Sequence, residues 1–415
     1  MAIFKPFKAL RPDKKYADKT LCQPYDIVTQ TEAKVICEKN PESFMQIIRG
    51  DQAFPASEKY SDAVYQHSLA QLIAFEEKGI MIQDTAPSYY IYSQTLAGRT
   101  QTGIVGCCSV DDYENGVIKR HEFTRPEKEQ DRIRHFDVCN ANTEPVFLIF
   151  KNNLSIKALT ETIVSGSNPA YDVSDDADVR HRLWAVADSS LVAEFDRLFT
   201  QMPALYIADG HHRTASAAKV AHKRRADHPD YDGTEEFNRF MAVAFDQDQL
   251  HVMDYNRLIS DLNGLTKEDF LEKLQKDFDV ILSGPDDILP QKKGDFTMYL
   301  DNNWYHLTLI AELAEDEIKH PTHSLDVSVL QNKVLEPLLG IADPRTDNRI
   351  GFSGGIKGPS ELKKMVDSGQ YAVAFAVYPV SVDDIIKVAD AGMVMPPKST
   401  WFEPKLGSGW FVHKI

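Results

Sequence analysis

An acid, a glycine, two imidazoles and a guanidinium stand in succession at Asp209, Gly210, His211, His212 and Arg213. The apolar run 204–208 before them reads as a buried strand, and 215–225 after them reads as a helix. A strand-to-helix turn offers unpaired N–H groups and the positive end of the helix dipole to an anion. Arg213 can clamp a phosphate or carboxylate with two parallel hydrogen bonds. Asp209 suits a hard cation such as Mg²⁺, usually shared with substrate phosphates. Together these are parts for phosphoryl transfer. The plain alternative is a turn in which Asp209 caps the helix and the histidines serve structure.

A second constellation lies at 119–125. Glu122 is a candidate general base, His121 stands beside it, and Arg120 and Arg125 can hold an anion. Pro126 places a helix start near it, with Thr124 as a candidate N-cap. Within that helix Lys128 and Arg132 share a face, and Glu129 is spaced to pair with Arg132. A third group is Lys398, Ser399 and Thr400 after two prolines, followed by Lys405 and Gly407. It has the residue types of a phosphate cradle without the glycine spacing of a Walker loop. The Gly-rich loop 351–355, with Arg345 and Arg349 before it, reads as a loop. Tyr25, Asp26 and Arg49 carry no specific signal. Zinc, EF-hand and nucleophile-elbow spacings are absent, and adjacent histidines rarely converge on one transition metal.

The bulk numbers set limits. The 415 residues suffice for two to three domains at about 150 residues each. The net charge of −16 disfavours a general nucleic-acid binder, whose affinity rests on Lys and Arg. A basic pocket for an anionic substrate remains compatible with it. Five cysteines without a CxxC pair suit the reducing cytoplasm. Cys107 and Cys108 lie in an apolar run and read as small core residues. The first residues lack an apolar h-region, and no stretch approaches the roughly 18 apolar residues of a membrane span.

Around these groups the pattern predicts helices at 31–38, 58–78, 154–163 and 190–199, and strands at 89–93, 102–110, 145–150, 183–187, 204–208 and 240–245. Farther on it predicts a helix and strand in 264–282 and a hairpin of 297–300 with 304–310. Helices at 326–339, 359–367 and 381–390 and a strand at 371–378 complete the set. Alternation of helix and strand through 145–245 implies an α/β layer with some parallel pairing. Regions 1–260 and 261–415 are the expected division.

Three segments in order, 119–122 with Asp131 and Arg132, 206–213, and 395–400, resemble the bacterial and archaeal family called domain of unknown function 1015, over essentially the whole chain. The turn at 209–213 also resembles the signature of the ParB/sulfiredoxin superfamily, notably its free-serine kinases. That resemblance implies a ParB/sulfiredoxin-like core with a mixed sheet, in a mixed α/β or α+β fold, elaborated by N- and C-terminal α/β segments. It further implies that Asp209, His212 and Arg213 serve a nucleotide phosphate and that Glu122 activates a serine hydroxyl. A cysteine precedes the His-Arg pair in sulfiredoxins. His211 stands there instead, which disfavours sulfinic-acid reduction.

The expectation is therefore a cytoplasmic phosphotransferase using Mg²⁺ and ATP or ADP on a small hydroxy amino acid such as serine, or the reverse reaction on phosphoserine. Glu122, Asp209 and His212 are the expected catalytic groups, with Asp209 as metal ligand. His121, Arg125, Gly210, His211, Arg213, Lys398, Ser399, Thr400 and Lys405 are expected to bind phosphate or substrate. Partners would be nucleotide and a phosphorylated small molecule, with a homodimer compatible and neither nucleic acid nor membrane. The alternatives are a phosphoester hydrolase and a non-catalytic nucleotide sensor.

Overall fold

The computed structural model describes residues 1–310 and 319–415. They form two compact units, one of residues 1–250 with 404–415, the other of 251–403. Each is a mixture of sheet and helix, and in the first the alternation through 145–245 is borne out with some parallel pairing.

The first unit is built on a nine-stranded mixed sheet. Its order runs Ile118–Lys119, Leu205–Asp209, Val146–Phe150, Arg239–Asp246, Arg99–Ser109, Tyr89–Leu96, Arg180–Val186, Tyr171–Ser174, with Phe4–Lys5 pairing beside Arg99–Ser109. Two pairs are parallel: Leu205–Asp209 with Ile118–Lys119, and Arg239–Asp246 with Val146–Phe150. The first of these decides where chemistry sits. Parallel strands end at the same edge, so the segment after Lys119 and the turn after Asp209 emerge together. The central strands are buried on both faces, which explains their unbroken apolar runs rather than alternation. Cys107 and Cys108 are both buried there, as small core residues.

The hairpin 89–109 turns at Ala97 and Gly98, both at positive φ, the backbone that a two-residue turn matched to strand twist requires. Two long helices cover the sheet near the turn, Pro126–Cys139 and His211–Asp227. Ala215, Ser216, Ala217 and Ala218 keep the second slim where it is buried. Ser216 donates to the Glu129 carbonyl, and Lys219 and Lys223 reach across to Glu129 and Asp137. The expected pairing of Glu129 with Arg132 does not form. Glu129 faces Lys219 and accepts from Thr124, while Arg132 turns inward to Asp131.

The second unit carries a six-stranded sheet, antiparallel at every pair. The predicted hairpin appears as Asp295–Leu300 and Asn303–Leu309, with Asp301 and Asn302 at positive φ. Leu258, Tyr299, Trp304, Leu362, Ala374 and Ala376 form its core. The helix expected over 326–339 is α-helical only for Asp326–Leu330 and then widens into a π turn, Gln331–Leu335.

Candidate active site

The helix after the turn begins at His211, four residues earlier than its apolar pattern suggests. Both histidines and Arg213 thus occupy its first turn. Gly210 makes this possible with φ at +93°, a left-handed conformation that a side chain disfavours. A Cβ there would also come within 3.1 Å of the Arg213 guanidinium. Gly210→Ala is therefore expected to cost about 1–2 kcal/mol of stability, read as a lower denaturant midpoint with unchanged slope.

Asp209 does not cap the helix. One oxygen accepts the Gly210 N–H at 2.8 Å, and the other accepts the Lys405 ammonium at 3.0 Å. Burial pushes its carboxyl up, but Lys405 and Arg213 outweigh burial and hold it well below the usual range, so it is ionised. Its side chain remains 29% exposed and that of Lys405 16%, so the pair is mostly covered yet still reached by solvent.

The segment 119–125 lies against this turn. His121 and His211 meet edge to face with centroids 4.6 Å apart, both buried. Burial lowers His121 to about 4 and drives His211 well below its ordinary value, so both rings are neutral. Glu122 Oε2 is 3.9 Å from His211 Nδ1, and its side chain is 45% exposed. His212 Nε2 accepts the Arg125 N–H at 2.9 Å, which fixes its neutral tautomer and ties the segment to the helix. Burial and Lys128 hold His212 at about 4. Residues 120–125 are thus a loop ending in a helix that starts at Pro126, and Thr124 gives no cap, donating instead to Glu129.

Arg213 corrects one expectation. Its guanidinium is buried, donates to the Pro145 carbonyl, and is charged because Asp209 and Glu144 outweigh the burial that disfavours its charge. It is a brace behind Asp209 rather than an open phosphate clamp. The more accessible cations near the turn are others: half-buried Lys119 and exposed Lys151, over the Tyr206 ring at 5.9 and 5.5 Å, with exposed Arg120, Arg125 and Lys128 on the loop and helix.

Glu144 is the centre that spacing did not reveal. It accepts from the Tyr25 N–H and the Ser408 hydroxyl, each at 3.1 Å, and lies 3.6 Å from Arg132. Its clue was an acid placed directly before the wholly apolar run 145–150, where a solvated charge has no place. Arg132 stacks on Tyr25 at 4.0 Å and binds Asp131. Beyond it lies a 390 Å³ cavity lined by Asp26, Arg49, Asp51, Lys128, Asp131 and Tyr65 among others. Tyr25, Asp26 and Arg49, which spacing left without a role, are therefore walls of a charged cavity. Arg49 binds Asp51 through two 2.8 Å hydrogen bonds and also holds the Tyr25 carbonyl.

Lys398, Ser399 and Thr400 belong to the second unit. Lys398 stands at φ +57° with its ammonium 5.2 Å from the Tyr255 ring. Ser399 donates its proton to the Pro396 carbonyl at 2.6 Å, so that hydroxyl holds a turn rather than a phosphate. Among the described residues no group of three His, Cys, Asp or Glu could enclose a metal, and no helix is long and apolar enough to cross a membrane.

Several solved structures are similar over three-quarters of the chain. A free serine kinase variant in complex with AMP is 14% identical, covering 74% of this chain and 91% of its own, with a TM-score of 0.35. SbnI with a C-terminal truncation, from Staphylococcus aureus, is 12% identical, covering 74% and 86%, at 0.38. A conserved hypothetical protein from Pyrococcus furiosus is 14% identical, covering 74% and 93%, at 0.35. No curated protein matches the sequence. The model of the family described as a protein of unknown function, DUF1015, matches residues 4–328, and the chain belongs to that family.

Proposed function

We propose that the turn at 209–213 and the loop at 119–125 form the catalytic centre of a nucleotide-dependent phosphotransferase acting on a small hydroxy amino acid. One observation carries this reading: two partly open carboxylates, Asp209 paired with Lys405 and Glu122 beside His211, leave one edge of the sheet together, with Arg120, Arg125 and Lys128 exposed on the adjoining loop and helix. Phosphoryl transfer is mostly positioning and charge neutralisation, and it needs cations around the moving group. Lys405 with Lys119 and Arg125 would hold nucleotide phosphates. Glu122, more open than Asp209, would take the proton from the acceptor hydroxyl. The neutral pair His121 and His211 gives Glu122 an uncharged wall.

Mg²⁺ would have Asp209 as its donor, an ionised and partly open carboxylate whose Lys405 partner would have to move onto the phosphates to make room. This ion usually takes one or two carboxylates and completes its shell with water and phosphate. Asp209 would hold it, and the ion would neutralise charge on the transferred group.

The test is to incubate the full chain with ATP or ADP and serine, and to follow nucleotide product together with phosphoserine. Equal release of both supports transfer. Phosphate release without phosphoserine would mean a hydrolase, and neither product would overturn the reading. His212 acts here by fastening the loop, since its Nε2 is taken by Arg125. His212→Ala should lower turnover about 10²-fold through misplacement while the protein still folds, and His212→Gln, which keeps an acceptor, should recover part of the loss.

A further inference from the structure

Among the described residues the second unit holds a buried cation without a counter-charge. Arg257, on the strand Tyr255–Ile259, is 3% exposed. Among the described residues no carboxylate pairs with it. Its hydrogen bonds go to the backbone carbonyls of Tyr255 and, at 3.5 Å, Pro397, and its guanidinium lies 5.6 Å from the Phe352 ring centroid. Other enclosed arginines are matched: Arg49 with Asp51, Arg132 with Asp131, and Arg213 facing Asp209 and Glu144. Withdrawing an unmatched charge from water is costly, and burial alone brings this guanidinium down to about 10.

Arg257 lines a 280 Å³ cavity together with Val327, Gln331, Leu335, Arg345 and Pro396. Asp343, also in the wall, is already forked by Arg345 at 2.9 and 2.8 Å. The positive charge left over belongs to Arg257. Gln331 and Leu335 come from the π turn, where the Glu336 N–H reaches back to the Gln331 carbonyl at 3.0 Å. Such widened turns are rare and frequent at functional sites.

We propose that this cavity binds a small molecule through a carboxylate or phosphate gripped by Arg257, with a compact apolar body against Val327, Leu335 and Pro396. The site lies wholly within the second unit and is independent of the phosphotransferase reading.

Thermal unfolding and calorimetry of the full chain, with inorganic phosphate and separately succinate as probes, test it. At least one probe should raise the melting midpoint, and the responding probe tells phosphate from carboxylate. Arg257→Met should abolish the shift and weaken binding by about tenfold or more, while Arg257→Lys keeps part of it. Lys223→Ala, at an exposed lysine of the first unit, should leave the shift in place. In anion-free buffer Arg257→Met should melt no lower than the natural protein, because an unmatched buried charge is gone. The proposal is overturned if neither probe shifts the midpoint, or if the shift survives in Arg257→Met. It is equally overturned if that variant melts lower without any anion, which would make Arg257 a structural brace.

Discussion

Asp209→Asn should reduce phosphotransferase turnover by about 10²–10⁴-fold, the largest effect expected of any single change at the turn. The amide still offers an oxygen to the Gly210 N–H, so the turn keeps its shape. What disappears is the negative charge that holds Lys405 and balances Arg213. Arg213 keeps Glu144 nearby, so the fold should persist with a modest loss of stability. Steady-state rates beside a melting curve separate the two effects. Turnover within about twofold of the natural protein would remove Asp209 from the mechanism.

Acid should unfold the first unit abruptly. His121 and His212 are lowered to about 4 and His135 to about 3, each chiefly by burial, and His211 lies well below its ordinary value. In the unfolded chain a histidine titrates near 6.5. Between those limits the unfolded state binds more protons than the folded one. The stability from neutral, enclosed rings is complete above about pH 6.5 and is lost as pH falls toward 4. Glu144 and Asp112 work in the opposite direction, since burial raises both and their protonation eases folding in acid, but two carboxyls face four imidazoles. Melting midpoints from pH 8 to 4 check this. A midpoint flat down to pH 5 would mean that the rings are protonated in place. Replacing His135 with Gln should flatten the slope, because one enclosed neutral ring is removed.

What was legible in the sequence followed from periodicity. Apolar runs located the strands at 146–150, 205–209 and 239–246, and turn residues located both hairpins. The adjacency of residues 119–122 to 209–213 was not legible, because parallel pairing of Ile118–Lys119 with Leu205–Asp209 spans 87 residues and leaves no local mark. Arg213 was misread for a related reason. A guanidinium in a turn looks available, and only the fold shows Glu144 and the Pro145 carbonyl waiting behind it. Tyr25 and Asp26 gave no signal because their importance lies in a cavity assembled from three distant segments. Lys405 was a candidate by its charge, yet its partner stands 196 positions away.

The closing stretch from residue 404 returns to the first unit, where His413–Lys414 pairs with Ala141–Asn142, Trp410 donates to the Ala17 carbonyl, and Ser408 meets Glu144. On the ribosome this arrangement imposes an order. The nascent amino-terminal portion must wait, lacking its final strand and the ammonium that steadies Asp209, while some 150 residues of the interposed unit are synthesised. That interposed unit has its own sheet and can mature first, so competence at the turn arrives only once residues 404–415 have been translated.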